Sequence, residues 1–439
     1  MQSSFLGNCW FVSGLSILAT HDNLIRGSFN PTDENLKEIS DKEVKDMTSG
    51  VYPPMFHFLR KYGIYVFRFF KNYKWCFVMI DDKLPCLPNG DLVYGKCRPG
   101  DGDQVPDEYW VSLIEKGFAK VHNCYQALFS GYIDEAVADM TGFASEKREI
   151  DGTKLKTPEQ KDELWNMLKY YISTSSMIGC SADGGTEHNI SLNGEDTGLK
   201  SGHAYAILDV LEIPNPQGKN YHKTHRLLRV RNPWGFGEWQ LNWSENEDNS
   251  TKLKDHLDNI LKSFEDRKKA GAEVEPFDPK ADDGTFLMCY KDWRNIFHNL
   301  FIALDFPDEW AGREIDYKWT KETSGGFPIR KTEEEELSYA KNPQFFMSIN
   351  TKKNKKTQVF MTVGQSDGRL IRGIKYPYKE VVHSYNLCVY KLPQGKKKIE
   401  KFDKSQILFH SGKFKIMREI CIPINKYDNG DYIIIARFY

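Results

Sequence analysis

Cys9 lies in the run Gln2-Ser3-Ser4-Phe5-Leu6-Gly7-Asn8-Cys9-Trp10-Phe11. It heads an apolar series, Trp10, Phe11, Val12, Leu15, Ile17 and Leu18, spaced for a buried helix. Gly7 breaks the chain and Asn8 is a preferred N-cap, which predicts the cysteine in the first helical turn. Unpaired backbone amides and the positive end of the helix dipole favour a thiolate there, and the thiolate is the nucleophilic form of sulfur. Such a nucleophile needs an imidazole to exchange protons with, and the imidazole needs a third group to hold its orientation. His203 opens the strand-like run His203-Ala204-Tyr205-Ala206-Ile207-Leu208 after a glycine-rich stretch. Asn232 closes another strand, locked by Pro233 and screened by Trp234. With those strands as neighbours, Asn232 accepts from one imidazole nitrogen while the other faces Cys9. Taken singly, Cys9 reads as a small buried hydrophobe and His203 or Asn232 as a satisfied strand-end polar residue; together they read as nucleophile, proton carrier and orienting amide. Two rival bases are weaker. His188 falls inside the glycine-rich loop, where geometry is not held to catalytic precision, and His21 lies about three turns along the nucleophile helix.

The rest of the composition narrows the setting of this chemistry. A chain of 439 residues is expected to form two or three domains. Its 60 lysines and arginines balance 61 acidic residues, so the net charge of −1 supplies no global field for nucleic acid or an anionic membrane. The nine cysteines form no CxxC pair or Cys/His ligand spacing, and Cys76, Cys86 and Cys97 are too far apart for a ribbon or finger, which predicts a reduced, zinc-free interior. No charged-then-apolar leader opens the sequence, and no apolar run approaches the roughly 20 residues of a membrane span, so a soluble, intracellular protein is expected. Only eight residues precede Cys9, too few to brace its helix, so the sequence reads as a fragment.

The elements expected to position these residues follow in order. A loop over 23–48 and a short helical segment over 54–61 lead to strands at Ile64–Phe70 and Trp75–Ile80. Asn89-Gly90 signals a hairpin between Leu84–Leu87 and Leu92–Tyr94. Helical spacing returns over Glu108–Leu128, and Thr141-Gly142 marks a boundary. An amphipathic helix is predicted over Thr157–Ser173, starting at Pro158 with Glu159 in its first turn. Ser181–Gly202 reads as a long mobile loop. Arg226–Arg231 is predicted as a strand with Leu228 and Val230 inward and Arg229 and Arg231 outward. The alternating charges of Ser250–Gly271 predict a solvated helix. From about Asp308, short β-rich runs at Gln344–Ile349, Gln358–Val363, Tyr385–Tyr390, Lys413–Ile424 and Asp431–Phe438 suit an antiparallel sandwich.

Leu6-Gly7-Asn8-Cys9-Trp10-Phe11, Gly202-His203-Ala204-Tyr205 and Arg229-Val230-Arg231-Asn232-Pro233-Trp234-Gly235 resemble, in the same chain order, the three catalytic motifs of the calpain family of papain-like cysteine proteases. Glu108-Tyr109-Trp110, Leu113-Ile114-Glu115-Lys116, Asp283-Gly284 before Phe286, and Asn342-Pro343-Gln344-Phe345 extend the resemblance over nearly the whole chain. It implies an α+β fold: a papain-like core of two subdomains, residues 1–142 with Cys9 and residues 143–305 with His203 and Asn232, followed over 306–439 by a C2-like antiparallel β-sandwich, incomplete at its C-terminus. It further implies an oxyanion held by the Cys9 amide and an upstream glutamine. In the family that glutamine usually stands six residues before the cysteine; Gln2 stands seven before Cys9, so a residue among Ser3, Ser4 and Phe5 must be absorbed. Trp234 would shield the active-site hydrogen bond and, without calcium, wedge into the cleft.

Regulatory Ca2+ is the cofactor the resemblance implies. Glu238, Glu245 and Asp283 fall where one core site of the family has carboxylates, the hard oxygen ligands calcium requires. Thr285 occupies a further carboxylate position. The other core site is poorer: one ligand would precede Met1, and Val105 and Pro106 stand before Trp110, with Asp103 or Asp107 as substitutes. At most one core site is expected, with weakened affinity. The C-terminal domain has an acidic run, Glu333–Glu336, and basic clusters at Lys352, Lys353, Lys355, Lys356 and at Lys396–Lys398, which by themselves read as solvated faces; for the basic loops the resemblance implies phospholipid contact. Asp428-Asn429-Gly430-Asp431 is a turn without an EF-hand ligand pattern. The expectation is a cytoplasmic, calcium-dependent cysteine endopeptidase making limited cuts in protein substrates. The contrasting expectation is a catalytically silent scaffold or membrane-associating module, and a third is acyl transfer to an amine, which leaves no new peptide ends.

Overall fold

In the computed structural model the described residues are all except 1, 3–5, 28–40, 98–107, 151, 153, 175, 185–186, 216–223, 245–250, 270–276, 279–280, 282, 307–308, 353–354, 373–382 and 439. They divide into two units, Met1–Phe306 with Arg369–Tyr376, and Pro307–Gly368 with Pro377–Tyr439.

The first unit opens with α1 (Cys9–Leu18), whose residues from Trp10 to Leu15, and Ile17 and Leu18, are all buried. The short helices α2 (Asp22–Arg26) and α3 (Asp41–Met47) follow, then a 3-10 segment over Pro54–Tyr62. The predicted strands pair as an antiparallel hairpin, β1 (Ile64–Lys71) with β2 (Lys74–Asp81). Asn72 and Tyr73 turn it, both at positive φ, the conformation two-residue hairpin loops demand. The Asn89-Gly90 turn is present, with the Gly90 amide on the Leu87 carbonyl at 2.9 Å, but its flanks pair only through a Cys86–Leu92 bridge. Pro85 and Pro88 remove ladder donors there. The helical run of 108–128 resolves into α4 (Trp110–Val121) and a 3-10 turn over Tyr125–Leu128. Thr141-Gly142 is the end of α5 (Ile133–Thr141), with Gly142 as its left-handed cap at φ 76°.

A six-stranded antiparallel sheet follows, assembled from β3 (Ala144–Glu149), β4 (Met177–Ser181), β7 (Ala204–Pro214), β8 (Thr224–Arg231), β9 (Thr285–Cys289) and β10 (Asn299–Leu304) in the order β3-β10-β4-β7-β8-β9. Between β3 and β4 lies α6 (Pro158–Ser173), which starts at Pro158 as predicted and is further held by a capping box of Thr157 and Gln160. The stretch 181–202, expected to be an irregular loop, contains a hairpin, β5 (Asn189–Leu192) and β6 (Glu195–Lys200). Its Asn193-Gly194 turn has both residues at positive φ, a signal present in the sequence. The helix expected over 250–271 is α7 (Thr251–Lys269), but it is amphipathic: Leu253, Ile260 and Phe264 pack with Leu211, Leu227 and Leu287. That cover corrects the outward assignment of Arg229, which is buried with its guanidinium 5.7 Å from the Phe264 ring. α8 (Tyr290–Ile296) joins β9 to β10.

One continuous core ties α1 to this sheet: Trp10, Phe11 and Leu15 pack with Phe118, Val137, Ala204, Ala206 and Phe301. Burial of each large apolar side chain contributes about 1.5–3 kcal/mol, which makes α1 a fixed element of the core.

The second unit begins with α9 (Glu333–Tyr339). The acidic run is its first turn: Thr332 caps it, accepting the Glu335 amide, and four glutamates complement the positive end of the dipole. Strands β11 (Phe345–Ile349), β12 (Thr357–Gly364), β13 (Ser384–Lys391), β14 (Ile407–His410), β15 (Lys415–Ile416), β16 (Glu419–Tyr427) and β17 (Gly430–Phe438) form two antiparallel sheets, β11-β17-β13-β14 with β15 on β13, and β12-β16. Ile349, Leu387 and Val389 from one sheet share a core with Met361 and Ile422 from the other. α10 (Arg369–Arg372) lies between β12 and β13 in sequence but belongs to the first unit.

Candidate active site

Cys9 is half-buried and is the first residue of α1. The helix is held from three sides: Trp10 Nε1 donates to the Leu128 carbonyl at 2.9 Å, Ser13 Oγ to the Ala204 carbonyl at 3.0 Å, and Phe11 stacks on Phe118 with ring centroids 4.4 Å apart. Asn8 does not cap the helix with its side chain, contrary to expectation. Its Nδ2 donates instead to Glu115 Oε1 at 2.5 Å, while Glu115 Oε2 accepts the Gly95 amide at 2.8 Å. Glu115 is 1 % exposed. Burial pushes its carboxyl up to about 7, against the pull of those two hydrogen bonds. Glu115 is therefore the support of the turn that presents the cysteine, a role its motif did not disclose.

Antiparallel pairing of β7 and β8 brings the start of one beside the end of the other, with Ala206 opposite Arg231. His203, one residue before β7, and Asn232, one residue after β8, meet as predicted: Nε2–H donates to Asn232 Oδ1 at 2.9 Å. Both residues are 1 % exposed. The amide orientation is set by its other contacts, since Asn232 Nδ2 donates to the Gly237 carbonyl at 2.9 Å and Oδ1 also accepts the Trp234 amide at 3.1 Å. The Asn232 backbone amide donates to the Gly284 carbonyl at 2.8 Å. Gly284 must be glycine: its φ is +79°, and a Cβ would lie 2.7 Å from the Asn232 carbonyl oxygen. The Trp234 ring stands 4.8 Å from the imidazole.

Burial works against a charge on His203, but hydrogen bonding with Cys9 and Glu187, the Cys9 charge and the Asn232 contact outweigh it and raise the ring to about 9. Cys9, His203 and Asn232 are thus brought together in the order the chemistry needs. Glu187 was not foreseen: its Oε1 lies 3.1 Å from His203 Nδ1. Of the rival bases, His188 is exposed and its carbonyl accepts the Ser201 amide; His21 pairs with Thr20 Oγ1 at 2.7 Å.

Gln2 is beside the Asn232-Pro233 turn, its backbone amide on the Pro233 carbonyl at 2.8 Å. Its Nε2 donates to the Leu6 carbonyl at 3.1 Å, and its buried Oε1 has no hydrogen-bond partner among the described residues. Ser3, Ser4 and Phe5 lie outside the described residues, as do Glu245, Asp103, Val105, Pro106, Asp107 and Lys353. Glu238 and Asp283 are brought to one place: Glu238 Oε1 accepts the Gly284 amide at 2.9 Å, and Asp283 Oδ1 accepts the Thr285 amide at 2.7 Å. Two carboxylates on adjoining turns are a donor set of the kind a hard divalent cation takes, with one oxygen of each already engaged by backbone.

A further contact reaches the residue after the nucleophile. Arg369 Nη1 pairs with Glu135 Oε2 at 2.6 Å, Nη2 donates to the Ser130 carbonyl at 3.4 Å, and the guanidinium stands 4.5 Å over the Trp10 ring. Gly131 makes room for it, since a Cβ would lie 2.5 Å from that ring and 2.7 Å from Arg369 Nη2.

This arrangement agrees with comparisons to known proteins. A family model described as calpain family cysteine protease matches residues 1–304, and one described as calpain large subunit, domain III, matches residues 315–439. Calpain-5 of Mus musculus is 27% identical over 384 residues, 84% of this chain and 53% of that protein. Calpain-8 of Rattus norvegicus is 28% identical over 354 residues, 79% of this chain and 41% of that protein. The calpain-type cysteine protease DEK1 of Arabidopsis thaliana is 26% identical over 365 residues, 83% of this chain and 14% of that protein. The chain thus aligns with about half or less of each of these relatives. With the cysteine, histidine and asparagine assembled at one site and matches over both units, the chain belongs to the calpain family of cysteine proteases.

Proposed function

We propose that the chain is a cysteine endopeptidase that makes limited cuts in protein substrates through Cys9, His203 and Asn232, under the influence of calcium. The observation that carries this reading is the hydrogen bond from His203 Nε2 to Asn232 Oδ1 with Cys9 at the same ring. In the acylation step the Cys9 sulfur bonds to the scissile carbonyl carbon. The Cys9 backbone amide, which has no intrahelical partner at a helix start, and the Gln2 amide hold the oxyanion. The C–N bond then breaks, and the leaving amine takes the Nδ1 proton of His203. Water next attacks the thioester and its proton passes to Nδ1, so the C–S bond breaks, the acid is released and thiolate and imidazolium are restored. Asn232 keeps Nε2–H engaged throughout, which leaves Nδ1 as the working nitrogen. Trp234 covers that bond against water.

Glu238 and Asp283 would hold the calcium, with Glu245 as the third carboxylate. When bound, the ion would supply fixed positive charge between these carboxylates; Glu238 already joins this place to the Asn232 backbone through the Gly284 amide and carbonyl. The two-subdomain papain-like core, the C2-like character of the second unit, its phospholipid contact through basic loops and a cytoplasmic location belong to the same proposal. Among the described residues no helix is long and apolar enough to cross a membrane.

A silent scaffold is the competing reading, favoured by the engagement of Gln2 Nε2 with the Leu6 carbonyl. Casein cleavage with calcium, with a chelator and with Cys9→Ala separates them. The peptidase predicts calcium-stimulated cleavage that Cys9→Ala abolishes; cleavage surviving Cys9→Ala, or none in the full-length protein, overturns it. Product analysis excludes acyl transfer if new peptide ends appear.

A further inference from the structure

Both ring nitrogens of His203 face acceptors. Asn232 Oδ1, fixed by the contacts of its amide, requires a proton on Nε2. On the other side Glu187 Oε1 is 3.1 Å from Nδ1, and a carboxylate only accepts. Cys9 hydrogen-bonds with the same ring, and with Nε2 taken by Asn232 that bond falls to Nδ1. The ring is therefore an imidazolium whose Nδ1 proton is shared between the sulfur and a carboxylate. Glu187 is placed there by the hairpin on the β4–β7 connection: Asn189 pairs with Lys200, and the Ser201 amide binds the His188 carbonyl at 2.9 Å, closing the chain just beside Gly202-His203. The Glu187 side chain is 41% exposed while the imidazole is enclosed, so the carboxylate approaches from the solvent side. Among the described residues Lys200 and the Cys9 sulfur also face this pair, and the rings of Tyr205 and Trp234 pack against the imidazole.

Resting on the peptidase reading, we propose that Glu187 is an internal plug: its carboxylate occupies His203 Nδ1–H in the resting enzyme and must be displaced by substrate before acylation. The leaving amine has to receive that same proton, so its nitrogen needs the position the carboxylate holds. When a peptide enters, the Nδ1–H···Oε1 bond breaks, Glu187 turns into solvent as a carboxylate, and the proton passes to the amine as the C–N bond breaks. No proton is gained or lost by Glu187. The displaced contact is a charge-assisted one in a partly wet site, so it raises KM without altering the chemical steps.

The test uses the full chain, with Glu187→Ala and Glu187→Gln measured on an internally quenched peptide, together with the imidazole titration of His203 by NMR, identified by its loss in His203→Asn. The plug predicts that Glu187→Ala raises kcat/KM on the order of 5-fold, through KM, at unchanged kcat. It also predicts that Glu187→Gln lowers the His203 midpoint by about one pH unit, as loss of an adjacent opposite charge requires. An active wild type whose kcat/KM is unchanged or lowered in Glu187→Ala, or a midpoint unmoved in Glu187→Gln, overturns the plug and leaves the peptidase. An inert wild type with an active Glu187→Ala also overturns it, since substrate would then fail to displace the carboxylate. If wild type and both variants are inert, the peptidase reading and the displacement step fail together, even where the midpoint falls.

Discussion

Ser13 Oγ donates to the Ala204 carbonyl at 3.0 Å, joining the nucleophile helix one turn past Cys9 to the strand one residue past His203. Both residues are buried, so the bond that joins the two elements lies inside the core rather than at the surface. Ser13→Ala removes a donor from a buried carbonyl, at about 1–3 kcal/mol. The expected outcome is a lower midpoint in thermal unfolding together with a loss of kcat/KM on the order of tenfold, because small misplacements of reacting groups are costly. Unchanged peptide turnover at reduced stability would show that the bond does not position the pair.

Asn232→Ala removes the acceptor of His203 Nε2–H and one contributor to the charged ring. In the proposed mechanism the leaving amine takes that ring's proton, so activity is expected below the His203 value of about 9 and is expected to be lost as pH rises through it. The variant is expected to lose on the order of 10²-fold in kcat/KM and to show its alkaline limb at lower pH. A pH profile of peptide hydrolysis reads both.

Glu115 links stability to pH. Its folded value of about 7 exceeds the ordinary 4.5, so the native state binds the extra proton between these values. The contribution is complete below pH 4.5 and disappears as pH rises through 7, a span of about 3 kcal/mol. Glu115→Gln keeps an acceptor for Gly95 without the titration. Urea unfolding from pH 4.5 to 8 should therefore decline less in the variant; equal slopes count against the assignment.

The pair of Arg369 and Glu135 has side chains 8% and 7% exposed. Arg369→Met leaves a buried carboxylate without this partner and is expected to cost about 3–5 kcal/mol, whereas Arg369→Met with Glu135→Leu recovers most of it. A double-mutant cycle by chemical denaturation checks the coupling. Trp10 fluorescence should change in the single variant, since the guanidinium lies over its ring.

Much of this arrangement was legible in sequence because it depends on local pattern. The helix after Cys9, the start of α6 at Pro158 and the strands flanked by His203 and Asn232 each follow from spacing, helix-start residues and β-branched runs. Where the reading missed, long-range packing had overridden a local signal. Arg229 is buried because α7 covers its face, Asn8 abandons its cap for Glu115, and the Asn193-Gly194 turn was hidden inside a stretch rich in other loop residues.

The order of the cysteine, histidine and asparagine along the chain, their places at the ends of a helix and two strands, and the α+β class were all determined by sequence, since each rests on interactions spanning a few residues. Tertiary structure alone decided which side of His203 meets Asn232, that Glu115 underlies the cysteine turn and that Glu187 reaches Nδ1. Those contacts join residues 16 to 107 positions apart, and such pairs are chosen by how strands pair and cores close.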